Sequence, residues 1–477
     1  MRQGARPRVG VFGVGLAAYW PQFEGLRDRL EGYQQEIEAR LEAMDAEVIS
    51  CGLVDTAQAA RAAGAQLRAA GVDLVMLYAA TYATSSQVLP TLQAAGAPVV
   101  ILNLQPTRTL DYERMTTGEW LANCSSCCVP EIAGACTRAR ISYRTVTGTL
   151  LVDDPAWDAL GEWVDAAHAV QSLRSARFGF LGHTYPGMLD MYSDFTQVHA
   201  QTGAHVEVLE IDDLVERVES ADPAAIERKG EEIRETFDLA GGGIDPIAAE
   251  ITPEIFEWSA RVAVGLDRLV AEFELDGLTY YYRGVGGNIA ERVAAGLIVG
   301  NSLLTARGVP TSGEGDLKTN IAMLLLDRLG AGGSYTEFYA LDFDDEFVLM
   351  GHDGPGHLAI ADGLPTARAL KLYHGKAGAG LSIEMKVRLG PVTIVGLTQT
   401  ADGRLKLIAA EGESIGGPTF RIGNTNSRIR FPSAPATFFD AWCAEGPTHH
   451  VALGVGHQLS RVRKVADLLG LELAVVA

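Results

Sequence analysis

Val72-Asp73-Leu74-Val75-Met76-Leu77-Tyr78 and Pro98-Val99-Val100-Ile101-Leu102-Asn103-Leu104 decide the fold. Neither run alternates polar with apolar residues, as a strand with one wet face would. Strands covered on both faces, as in a parallel sheet between helices, read as near-continuous apolar runs. Working outward, residues 8–13 and 47–53 read as further strands. Between those two, residues 24–44 place Leu26, Leu30, Tyr33, Ile37 and Leu41 at three- and four-residue steps, the period of an amphipathic helix. Residues 57–70 are an Ala-rich helix. The β-α-β-α order predicts a parallel sheet covered by helices.

The pattern restarts near Arg177. Strands are predicted at residues 178–182, 206–211 and 275–282, with another ending at Val309-Pro310-Thr311. Helices are predicted at 253–273, 288–303 and 316–329. After about Ser334 the pattern changes. Residues 382–389 alternate strictly, as a half-buried strand does. Gly390-Pro391 is read as a turn, residues 392–397 as the returning strand, and Ala401-Asp402-Gly403-Arg404 as a hairpin turn before residues 405–408. A helix at 459–469 and a strand at 472–476 follow. The expected fold class is α/β: two Rossmann-like or flavodoxin-like α/β domains, 1–172 and 173–333, then a C-terminal antiparallel β-rich, barrel-like domain, 334–477.

At 477 residues, with 47% hydrophobic and 21% charged content, the chain has ample material for large cores. Its formal net charge of −21 argues against nucleic acid and anionic membranes as partners. No run of about 18 apolar residues suggests a membrane span. Met1 to Arg8 lead into the first strand without an apolar leader segment. A cytoplasmic location is therefore expected, with the six cysteines as thiols.

Candidate chemistry concentrates in the last third. Ser312-Gly313-Glu314-Gly315-Asp316, Tyr335-Thr336-Glu337-Phe338, Met350-Gly351-His352-Asp353-Gly354 and Thr448-His449-His450 supply carboxylates and imidazoles. Carboxylate oxygen suits Mg²⁺ and Mn²⁺, and imidazole shifts the balance toward Mn²⁺ or Co²⁺. Glu314 lies in a Gly-flanked loop, with Asp316 as a helix N-cap. Neighbours on a strand face opposite ways, so one of His449 and His450 is expected to point into a given site. His357 shares the Gly/Pro-rich bend after His352, and His457 reads equally well as structural. Asp342-Phe343-Asp344-Asp345-Glu346 reads as a solvated turn. The spacing of Gly10, Gly13 and Gly15 is wrong for a dinucleotide fingerprint. Cys124, Cys127, Cys128 and Cys136 lack the second spaced pair of a structural zinc site and read as small buried thiols.

Gly313-Glu314-Gly315-Asp316-x-Lys318-Thr319, Glu337, His352, Ile422-Gly423-Asn424-Thr425-Asn426-Ser427-Arg428 and His449-His450, taken in order, resemble the L-arabinose isomerase family, within the broader L-fucose/L-arabinose isomerase group. The resemblance covers most of the chain. It implies two α/β domains and a β-rich domain. It also implies a divalent metal, Mn²⁺ first and Co²⁺ or Mg²⁺ next, on Glu314, Glu337, His352 and His450, and an aldose–ketose isomerisation. The implied assembly is a homo-oligomer, a trimer or hexamer, with active sites between subunits. Residues 15–23 and Asp353-Gly354-Pro355-Gly356-His357 depart from the arabinose-type sequence where the sugar pocket is implied, which leaves the aldose open. Tyr19, Gln22, His183, Tyr185, Met188 and His449 are the expected sugar contacts. Glu314 and Glu337 are the expected catalytic acid and base, acting on an open-chain sugar through a cis-enediol. Two other readings are a sugar-binding or regulatory relative without catalysis, and a nucleotide-dependent oxidoreductase.

Overall fold

Leu74–Ala79 is buried at every position, as its unbroken apolar run dictates. The computed structural model describes residues 6–152, 154–240, 248–283, 286–371 and 379–477. The chain divides into two compact units, Gln3–Gln171 and Ser172–Ala477.

The first unit holds strands β1 (Arg8–Val14), β2 (Glu47–Val54), β3 (Leu74–Ala79), β4 (Val99–Gln105) and β5 (Tyr143–Thr149). All pair in parallel in the order β2-β1-β3-β4-β5, the order of one type of doubly wound sheet. Phe12, Leu67, Leu77, Ile101 and Ile132 pack in its core. The helix Ala57–Ala70 shows the local logic. Thr56 caps its start by accepting from the Ala59 N–H, and Gly71 ends it at a positive φ of 61°.

The second unit continues with β6 (Arg177–Gly182), β7 (His205–Leu209), β8 (Asp238–Ala240), β9 (Ala248–Ala249), β10 (Gly277–Tyr281) and β11 (Thr311–Ser312). Then come β12 (Ser334–Asp342), β13 (Phe347–His352), β14 (Thr366–Lys371), β15 (Ala379–Glu384), β16 (Gly390–Gln399), β17 (Leu405–Ile415), β18 (Thr425–Arg430), β19 (His450–Val455) and β20 (Glu472–Val475). A parallel sheet runs β11-β10-β6-β7. An antiparallel sheet runs β16-β19-β12-β13-β18-β17, and β16 pairs again with β17, which closes it into a barrel with β20 alongside β17. Ile394, Ile408, Ile429, Phe438, Trp442 and Val451 pack in its core.

Three expectations are corrected. The alternation at residues 382–389 is not one strand: β15 stops at Glu384 and pairs with β14 in a small separate sheet with β8 and β9. Leu381 and Ile383 pack with Ala260, Val264, Ile298 and Val299 rather than in the barrel core. Beyond Glu384 the backbone has other partners. Lys386 O accepts from Asp362, Val387 N–H donates to Ser427, and Arg388 N–H donates to Ile360. Gly390-Pro391 therefore opens β16 instead of turning the chain. Likewise β7 ends at Leu209, because Glu210 caps a helix at Ile211–Glu219. The hairpin turn at residues 401–404 forms as read, with Thr400 N–H donating to Arg404 O at 2.8 Å.

The helix Leu317–Arg328 positions the site. It is buried from Leu317 to Leu326 and packs on β10 and β11 as well as on β16 and β19, joining the parallel sheet to the barrel. Among the described residues, no single helix is long and apolar enough to cross a membrane. A bent pair, Ile289–Ala295 with Leu297–Ala306, passes that test only when taken together, and residues 297–305 are buried.

Candidate metal centre

Strand β11 is two residues long, and the chain leaves it through Gly313-Glu314-Gly315 to reach the N-cap Asp316. Glu314 has a φ of 62° and Gly315 a φ of 73°, both left-handed. A non-glycine residue in that region costs on the order of 1 kcal/mol or more and persists only where its surroundings fix it. Three backbone bonds do so: Tyr185 N–H to Glu314 O at 2.8 Å, Gly315 N–H to Tyr280 O at 3.1 Å, and Asp316 N–H to Gly313 O at 3.1 Å. A Cβ on Gly315 would stand 2.6 Å from Thr184 Cα, so the position needs glycine for space as well as for φ. The loop holds the Glu314 carboxylate with Oε2 buried and without a hydrogen bond.

The barrel brings the other donors. Strand β12 lies between β13 and β19, and Glu337 stands opposite both Gly351 and His450. His352 is the last residue of β13. Donor atoms of Glu337, His352 and His450 lie within 4.8 Å of one another, and so do those of Glu314, His449 and His450. His450 belongs to both groups. His352 Nε2 and His450 Nε2 face each other at 3.1 Å, with both residues buried. Two neutral imidazole nitrogens presenting lone pairs repel unless a proton or a cation lies between them.

Behind His450, Asp316 Oδ2 is 3.0 Å from Nδ1, and the Tyr335 hydroxyl is 2.7 Å from Nδ1 and 3.0 Å from Nε2. Burial alone would raise the Asp316 pKa, but His450 and the Thr319 N–H and hydroxyl hold it below the ordinary value. Burial, followed by the charges of Asp316, Glu314 and Glu337, pushes the Tyr335 phenol well above its usual range, so it stays a neutral hydroxyl. A carboxylate behind a ligating imidazole is the usual outer partner of a metal-bound histidine. The unbonded Glu314 oxygen, the facing imidazoles and the mixed carboxylate–imidazole donor set are groups that could hold a divalent cation.

His449 corrects the expectation that only one of the pair points into the site. Strand β19 begins at His450, so strand alternation does not govern its neighbour. The two rings lie 3.8 Å apart, and their Nε2 atoms stand 3.9 Å (His449) and 3.8 Å (His450) from Glu314 Oε2. Asp190 sets the ring, accepting from the His449 backbone N–H at 3.0 Å and pairing with Nδ1 at 2.6 Å. Burial pushes His449 down, but Asp190, then Glu337 and Glu314, leave its pKa raised.

The segment 183–192 reaches the same place. Tyr185 is tied to Glu314 O, its ring packs 4.6 Å from Tyr281, and His183 packs 5.2 Å from that tyrosine. Met188 N–H donates to Tyr185 O, and Lys318 Nζ donates to Tyr192 O at 2.9 Å. Tyr19 and Gln22 belong to the first unit, where Tyr19 packs edge-on against Phe23 and Gln22 donates to Ala18 O. His357 is buried with Nε2 on Asp327, and His457 pairs with Glu411. Tyr335, Asp190 and the role of Asp316 behind His450 were missed in the sequence. Tyr335 was findable, since it shares a strand face with Glu337 two residues on. Asp190 left no signal, being 259 residues from its partner.

Fold and donor set together describe a candidate metal site between an α/β layer and a β-barrel. No protein-family model matches the chain. Curated relatives named L-arabinose isomerase do. That of Nocardioides sp. (strain ATCC BAA-499 / JS614) is 26% identical over 420 residues, covering 84% of this chain and 80% of the relative. That of Acidothermus cellulolyticus is 23% identical over 410 residues, with the same coverage. That of Clavibacter sepedonicus is 26% identical over 362 residues, covering 71% and 67%. A solved periplasmic solute-binding protein from Actinobacillus succinogenes 130z aligns over 68% of this chain at 14% identity, but its TM-score of 0.17 carries no argument. Over most of its length the chain is similar to proteins named L-arabinose isomerase.

Proposed function

We propose that the chain is a divalent-metal-dependent aldose–ketose isomerase acting on an open-chain sugar. One observation carries the reading: carboxylates from two different layers, Glu314 beside the parallel sheet and Glu337 on the barrel, converge on the shared His450. Glu314, Glu337, His352 and His450 would hold the cation, with Mn²⁺ favoured and Co²⁺ or Mg²⁺ next. When bound, the cation polarises the sugar carbonyl and holds adjacent substrate oxygens.

The proton work falls to the glutamates. One takes the proton from C2, and the other moves the proton between O1 and O2, so that the sugar passes through a cis-enediol. Glu314 Oε2 accepts no hydrogen bond, which leaves its lone pairs available. Tyr335 stays protonated and orients His450. His449, held by Asp190, and the segment carrying His183, Tyr185 and Met188 are the sugar contacts on this unit. Tyr19 and Gln22 are proposed as further contacts, and a trimer or hexamer of identical chains with sites between subunits belongs to the same reading. The relatives are named for L-arabinose, whereas residues 15–23 and 353–357 depart from the arabinose type, so the aldose is proposed to differ.

Glu314→Gln and Glu337→Gln should each abolish ketose formation while circular dichroism stays that of the parent chain. Full activity in either folded variant would sink the acid–base assignment.

A further inference from the structure

The first unit carries a cysteine cluster that the isomerase reading does not use. Cys124-Ser125-Ser126-Cys127 opens the helix Ser125–Arg138, with Cys124 at its N-cap and Cys127 in its first turn. Both are free thiols, and their Sγ atoms lie 2.7 Å apart. A disulfide holds its sulfurs about 2.05 Å apart, so a small movement of the two side chains would join them. The two sulfurs differ in access: Cys124 is buried and Cys127 exposed. Burial, then the Cys127 thiol, push Cys124 up to about 12. The other cysteines of the cluster are committed elsewhere. Cys128 Sγ donates to Thr81 O at 3.3 Å, and Cys136 is packed in the core of the parallel sheet. The pair therefore meets solvent through one sulfur, with its partner directly behind.

We propose that Cys124 and Cys127 form a redox-active dithiol whose oxidant is a low-molecular-weight disulfide, RSSR. The Cys127 thiolate attacks one sulfur of RSSR. A Cys127–SR bond forms, the S–S bond breaks, and the departing RS⁻ takes up the proton that Cys127 gave up. Cys124 then attacks Cys127 Sγ: the Cys124–Cys127 S–S bond forms, the Cys127–SR bond breaks, and the released second RS⁻ takes up the Cys124 proton. The chain gives up two protons and two electrons, and RSSR is reduced to two RSH. Disulfides in reducing compartments are transient and reversible, and the exposed sulfur is the one that exchange reaches first.

The test equilibrates the full chain with oxidised and reduced glutathione at graded ratios, quenches with acid, alkylates the remaining thiols and maps the peptides. The tryptic peptide 115–138 carries all four cluster cysteines, so fragmentation must assign the bond. The expected result is a Cys124–Cys127 crosslink, seen as the loss of two hydrogens from that peptide and reversed by dithiothreitol. Cys124→Ser should stop at one glutathione on Cys127. Glutathione accumulating on Cys127 of the parent chain without a crosslink would overturn the proposal. So would a Cys127 that stays reduced while the exposed Cys443 is modified. The map of the parent chain decides the matter even if Cys124→Ser fails to fold.

Discussion

Gly315 shows how much of the site rests on single residues. Its φ of 73° and the 2.6 Å that would separate a Cβ at this position from Thr184 Cα act together, and the loop it closes carries Glu314. Gly315→Ala should cost about 1–3 kcal/mol, read as a lower urea midpoint at unchanged slope, with lost metal affinity. An unchanged midpoint would contradict the loop geometry. Asp190 and His449 make a pH-dependent pair. Burial would raise Asp190, but His449 holds it well below the usual carboxylate range, while Asp190 raises His449. On the carboxylate side, the stabilisation is present above the ordinary value of about 4 and lost as pH falls through the depressed one. On the imidazole side, it is present below about 6.5 and lost as pH rises through the raised one. The pair should therefore stabilise the fold fully between about pH 4 and 6.5. Asp190→Asn should shift the His449 titration, followed by NMR, to lower pH. A midpoint that stays put would show that Asp190 does not set it.

At the scale of elements, legibility followed the distance over which burial is decided. Strands β3 and β4 were readable because β3 is buried throughout and β4 from Val99 to Leu102, which leaves a continuous apolar run. The helix Leu317–Arg328 was readable from its cap Asp316, a local signal. The stretch 382–389 misled because alternation reports that one face is buried and not which sheet buries it. Ile383 is buried with residues of the helices Pro253–Glu272 and Leu297–Ala306, whereas Leu389, on the same alternating pattern, is 54% exposed. Ile383→Ala should therefore cost about 2–5 kcal/mol, and Leu389→Ala less than about 0.5 kcal/mol, compared by urea unfolding. Equal costs would restore a single strand through both positions.

Across the whole molecule, the residue types of the site were visible in the sequence, and their convergence was not. Glu314, Glu337, His352 and His450 come from a loop and three neighbouring strands, and strand registers over more than a hundred residues bring them together. Likewise, the closure of β16 onto β17 forms a barrel that no local period announces. The His449-His450 pair was misjudged because the strand boundary falls between its members. The central claim is that this convergence binds a cation that serves sugar isomerisation. Chelated protein incubated with a panel of aldoses, with and without added Mn²⁺, Co²⁺ or Mg²⁺, tests it most directly. Ketose is expected from at least one aldose only after metal is restored. Conversion of no aldose under any metal, or conversion unaffected by chelation, would contradict it.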